Sequence, residues 1–194
     1  GTELGLRKVF ALDTKMLGKI LGSVSTHSLQ LRFGSVAVGS GIIDSLTKSP
    51  DVTTVIASIN GKMVGFTNIC STKEPEVCEM ASLVHQDYQG KKIGKVLLNE
   101  RNGIAKALGF KHIANLVDKK NRLMINWAPK QPGFISMESY KRDPQWNRVL
   151  FSLEHKDIKI QTPALMHPYA RPQEEAGEYV EKPKLPTISA EEEA

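Results

Sequence analysis

The stretch Gln89-Gly-Lys-Lys-Ile-Gly94 gathers two glycines and two lysines just after an apolar run that ends at Val84. A helical pattern starts at its end. The first N–H groups of a helix have no partner within the helix, and the aligned peptide dipoles make that end positive. Two lysines add charge, and glycines let a ligand approach the main chain closely. This is the chemistry of a phosphate cradle, so the first expectation is a phosphate-bearing cofactor held by Gln89, Gly90, Lys91, Lys92, Ile93 and Gly94. The remaining reactive side chains give weaker patterns. His27, His112, His155 and His167 lack ligand spacing, and no metal site is expected.

The elements around this turn can be read from periodicity. Leu6 to Leu12 reads as an opening strand, and Asp13 is placed to cap a helix running to about Leu21. Ser23 to Ser40 is ambiguous, and Ile42 to Leu46 reads as a short helix. Val52 to Ile59, then Asn60-Gly61, then Met63 to Cys70 is a β-hairpin signal. Val77 to Val84 is a third strand. On it, alternation puts Glu79 and Leu83 on one face, Cys78 and Val84 on the other. Ile93, Leu97, Ile104 and Leu108 recur at helical spacing up to Gly109, a natural stop. Phe110 to Val117 is the next strand, and a right-handed crossover makes it parallel to the strand at Val77. Asn121 caps a short helix to about Trp127, and Phe134 to Tyr140 with Arg148 to Leu153 close the pattern. The fold class is therefore α/β: a mixed, mostly antiparallel sheet flanked by helices. Residues 1–155 form the domain, and 156–194 form a Pro/Glu-rich extended tail.

Composition narrows the partners. A hydrophobic content of 40% supports a buried core, and no run of about 18 apolar residues reads as a membrane helix. No secretory leader is visible, and the two cysteines, Cys70 and Cys78, read as reduced thiols on neighbouring strands. Both point to the cytoplasm. The net charge is +5, yet from Gln173 onward seven glutamates face two lysines, so the preceding residues carry +10. A basic body suits an anionic ligand. No aromatic residues interleave with a basic stripe, which disfavours nucleic acid.

The element order, the Asn60-Gly-Lys-Met-Val-Gly-Phe66 hairpin, the Leu83 to Gly94 segment, Asn121 and Gly133-Phe134 resemble the GNAT family of N-acetyltransferases over roughly Leu6 to Leu153. The resemblance implies acetyl-CoA as cofactor, with its pyrophosphate on the turn from Gln89 to Gly94. It implies that the backbone at Leu83 and Val84 holds the pantetheine, and that Asn121 touches the cofactor. It implies an amine acceptor, on a small molecule or a protein, and a base on the strand before the turn. Glu79 is the candidate base, with Glu76 farther back and His85 nearer the pyrophosphate. Two positions depart from the family pattern. Lys92 replaces the signature's first glycine, and Trp127-Ala128 occupies the place of the tyrosine that often protonates the departing thiolate; Tyr140 is a substitute without positional support. These departures carry an alternative: a non-catalytic protein of the same fold, docked through its tail to a protein partner in a larger assembly such as a phage particle.

Overall fold

The computed structural model describes residues 4–34 and 38–158. Seven strands form one sheet in the order β1-β2-β3-β4-β5-β7-β6. They are β1 (Leu4–Lys8), β2 (Val52–Ile59), β3 (Lys62–Ser71), β4 (Val77–Val84), β5 (His112–Asp118), β6 (Phe134–Ser139) and β7 (Trp146–Ser152). Among the described residues five α-helices accompany them: α1 (Thr14–Ser23), α2 (Thr26–Phe33), α3 (Ser40–Lys48), α4 (Ile93–Ala107) and α5 (Arg122–Trp127). All neighbouring strands are antiparallel except β4 and β5. That parallel pair is joined through α4, as a crossover requires. The expected architecture is present, and the anticipated closing pair is β6 and β7, with β7 inserted between β5 and β6.

Two apolar layers sandwich the sheet. On one face α4 packs through Ile93, Leu97, Ile104 and Ala105 onto Val55, Val64, Cys78, Met80 and Ile113. On the other, Leu17, Ile20 and Leu21 of α1, Leu29 of α2 and Leu46 of α3 cover Ile56, Phe66 and Leu83. Removing such side chains from water is the main driving force for the fold. A smaller cluster under α5 joins Val117, Ala128 and Val149.

The first third of the chain departs from expectation. β1 stops at Lys8 instead of running to Leu12, because Asp13 redirects the chain. Its carboxylate accepts the Phe10 N–H at 2.8 Å and holds Arg7 through two bonds of 2.6 and 2.7 Å. The same carboxylate makes no cap bond to α1, contrary to the capping expectation. The ambiguous Ser23 to Ser40 segment contains a full helix, α2. Ser25 caps it by accepting the Ser28 N–H at 3.2 Å, and Gly34, at φ 70°, ends it. The two cysteines do lie on adjacent strands, but on opposite faces: Cys70 is in register with Glu79, and Ser71 with Cys78. Both are free thiols. Burial raises Cys70 to about 11 and Cys78 to about 12, so both stay protonated. The tail expected from 156 onward lies outside the described residues beyond residue 158.

Candidate active site

β4 and β5 share only three register pairs, Val77 with His112, Cys78 with Ile113 and Glu79 with Ala114. Beyond them β4 continues to Val84 along β3, and β5 continues to Asp118 along β7. The two strands therefore diverge, and the gap between them opens into a cleft of about 1020 Å³. Its walls come from β4, α4, β5, α5 and α2.

The main-chain groups facing this gap follow from the ladder. Lys111 and His112 both donate to the Glu76 carbonyl at 3.0 Å, so even-numbered residues of β4 turn their N–H and C=O toward β5. Met80 N–H closes the last ladder rung, to Ala114 O, so Ser82 and Val84 are the residues that present unladdered main-chain groups to the gap. Leu83 turns its own toward β3, as His85 does in donating to Val64 O at 2.9 Å. Of the two residues expected to hold a pantetheine by backbone, Val84 has the gap-side groups and Leu83 supplies a core side chain. Gln89 closes the strand end: its Nε2 donates to Val84 O at 3.0 Å.

The turn that follows is open. Gly90 has φ 76° and Lys92 φ 63°, both left-handed, which explains why a glycine suits the position Lys92 holds. Lys92 is exposed, and Lys91 folds back so that Nζ lies 4.9 Å from the Tyr88 ring centroid. The first helical bonds of α4 run from Lys95 and Val96 N–H to Lys92 O, at 3.0 and 3.2 Å. The N–H groups of Ile93 and Gly94 therefore precede the ladder, at the positive end of the helix. A Cβ on Gly94 would meet only Val84 Cγ2 at 3.9 Å, and one on Gly90 would meet nothing within 4 Å. Bare main chain is what this turn offers. Lys95 and Gly94 line the cleft beside it.

On the far wall Asn121 caps α5, with its Oδ1 accepting the Met124 N–H at 3.1 Å. The oxygen is engaged there, so the amide NH2 is what it can present to a ligand. Ala128 is buried in the α5 cluster, and Trp127 lines the cleft.

Glu79 stands at the vertex where the strands part, on the face covered by α2, and does not itself line the cleft. Burial raises its pKa, while Arg32, Arg148 and Arg142 oppose the rise. The other two base candidates sit elsewhere. Glu76 is an exposed partner of Lys111. His85 lines a separate cavity of about 470 Å³ beside α1. No group of three or more metal-ligating residues occurs among the described residues, and no described helix is long and apolar enough to cross a membrane.

Two residues of the cleft escape a motif-based reading: Arg32 of α2 and Arg101 of α4. Arg101 interrupts the apolar stripe of Leu97, Ile104 and Ala105, which is the sequence signal that could have marked it. A charge on the buried face of a helix demands a partner or a use.

A sequence model described as the acetyltransferase (GNAT) family matches residues 18–134, which include the whole of β4, the turn, α4 and β5. The chain belongs to the GNAT family. Solved GNAT structures share its fold at low identity. The GNAT domain of S. lividans PAT is 20% identical, with a TM-score of 0.66 over 76% of this chain and 89% of that one. The PaiA N-acetyltransferase of Thermoplasma acidophilum, in complex with coenzyme A, gives 19% and 0.56 over 77% and 99%. YncA from Salmonella typhimurium, solved with its cofactor acetyl-CoA, gives 14% and 0.60 over 79% and 95%. No curated protein matches the sequence. In this GNAT chain the diverging strands and the glycine turn are continuous, so a ligand on the turn can extend into the gap.

Proposed function

We propose that this GNAT protein transfers an acetyl group from acetyl-CoA to an amine. One observation supports the reading above the others: the open turn, with its free N–H groups and Lys95, leads directly into the gap between β4 and β5. The turn suits a diphosphate because positive helix ends and bare main chain bind phosphate oxygens. The gap-side groups of Ser82 and Val84 suit an extended amide-bearing arm, which pairs with them as a strand would. Acetyl-CoA supplies the thioester whose carbonyl carbon the amine attacks. A β4 N–H facing the gap polarises that carbonyl, since fixed main-chain dipoles stabilise developing negative charge. Asn121 contributes its amide NH2 from the opposite wall.

Glu79 is the base in this reading. The amine enters from the α2 face, where Glu79 lies, and the carboxylate removes its proton. A raised pKa makes Glu79 a stronger base than an ordinary surface carboxylate. The acceptor is a small molecule or a protein side chain bearing an amine. The scaffold alternative, docked through the tail, depends on residues outside those described.

A thermal-shift titration tests the reading. Binding to the native state alone raises the melting temperature, by about 2.7 kcal/mol of stability at a hundredfold excess over Kd. Acetyl-CoA is expected to raise it. A folded sample with no shift at millimolar acetyl-CoA would exclude the cofactor and the transferase with it.

A further inference from the structure

Among the described residues, Arg101 has no carboxylate partner. It is only 8% exposed, and its Nε is buried without a hydrogen-bond acceptor. Among the described residues it forms no ion pair. One contact holds it: Nη1 donates to Ser82 Oγ at 3.3 Å, and Ser82 in turn donates to Thr67 Oγ1 at 2.8 Å. A buried guanidinium without a counter-charge is costly, and removing it from water is not offset by one hydroxyl. The charged and titratable groups that act on it are Arg32 from α2 and the Cys78 thiol from β4, and Glu100 precedes it on its own helix. Burial and Arg32 lower Arg101 to about 10, so it remains charged at neutral pH.

The location of this charge is informative. Ser82 is the residue Arg101 touches, and the main chain of Ser82 faces the gap. The cation therefore sits beside the stretch of β4 that can polarise a thioester carbonyl. When the amine nitrogen forms its bond to the acyl carbon, the carbon–sulfur bond breaks and its electron pair stays on sulfur. The amine proton goes to the base. A negative sulfur then remains in the gap. Among the described residues, those lining the gap include no tyrosine, histidine or cysteine to protonate it. Building on the acetyl-CoA reading, we infer that Arg101 stabilises the departing coenzyme A thiolate by charge, in place of a proton donor. Arginine keeps its own proton, so the sulfur is protonated by solvent on release. The buried Nε and the Ser82 hydrogen bond fix the guanidinium before substrate arrives, which is what electrostatic stabilisation of a developing charge requires.

The test compares binding of coenzyme A with binding of desulfo-coenzyme A, which carries hydrogen in place of the thiol. Calorimetry from about pH 7 to about pH 9.5 spans the ionisation of an alkyl thiol. Coenzyme A is expected to bind more tightly, with a preference that grows about tenfold across this range, matching a thiol pKa lowered by about one unit. Arg101→Gln should abolish the growth, whereas Arg32→Gln and Lys95→Gln should keep it. A flat preference in the native protein overturns the inference, as does growth that survives Arg101→Gln or disappears in Arg32→Gln. If Arg101→Gln does not fold, the native protein with the other two variants still decides, because Arg32, Lys95 and Arg101 are the cations lining the gap among the described residues. Failure of the native protein to bind either ligand sinks the acetyl-CoA reading itself. Tight binding of both with a flat preference sinks only the role of Arg101.

Discussion

Glu79 sits between opposed influences: burial favours its neutral form, and the guanidinium of Arg32 favours its charged form. Burial is the larger, so folding raises the Glu79 pKa above its ordinary value. The sign of the resulting stability effect follows. A carboxyl raised in the folded state favours folding below its unfolded value and loses that contribution as pH rises through the folded one. Glu79→Gln is therefore expected to melt at a higher temperature than the native protein near neutral pH, with the difference closing in acid. The same variant should lower the acetylation rate by about a hundredfold or more and erase the acidic limb of the pH–rate profile. Loss of activity with a gain in stability distinguishes a base from a packing residue; an unchanged rate would remove Glu79 from the mechanism. Arg32 bonds Asn68 at 2.5 Å and lies 4.5 Å from the Phe33 ring centroid, so its charge beside Glu79 is fixed by packing.

At the level of elements, the site depends on how β4 ends and α4 begins. β3 approaches β4 so closely at Gly65 that a Cβ there would lie 2.8 Å from Leu83 O. This contact holds β4 against β3 while β5 turns away. The turn then lifts Gly94 to the rim of the gap with open space around it. Gly94→Glu is expected to fold, because a Cβ there makes only an ordinary contact, yet to weaken acetyl-CoA binding by about tenfold or more through charge repulsion at the helix end. The thermal-shift titration reads this directly. Equal shifts for variant and native protein would place the phosphates elsewhere. Where α2 runs was hidden from periodicity because Ser23 to Ser40 is rich in small and polar residues. A serine cap and a left-handed glycine define that helix, and packing against the sheet completes it.

Across the whole molecule, Asp13 links the edge strand to the helical layer by holding Arg7 of β1 at the entrance to α1. The Arg7 hydrogen bonds lower the Asp13 pKa. A depressed carboxyl stabilises the fold above its unfolded value and loses that contribution as pH falls through the folded one. Asp13→Asn should cost about 1–3 kcal/mol in denaturant melts at neutral pH. The gap from the native protein should narrow below about pH 4, where the native carboxylate also begins to protonate. A constant gap at all pH values would show that shape matters there and charge does not. The sequence alone determined the strands from Val52 to Val84, the crossover through α4 and the glycine turn before it, because these rest on local periodicity, a hairpin dipeptide and helix-end chemistry. Three features were decided only by tertiary structure. The strands part after Glu79, main-chain direction assigns the gap to Ser82 and Val84 and withholds it from Leu83, and Arg101 lies buried beside Ser82. Each depends on which residues from distant parts of the chain come to face one another, and local spacing carries no record of that.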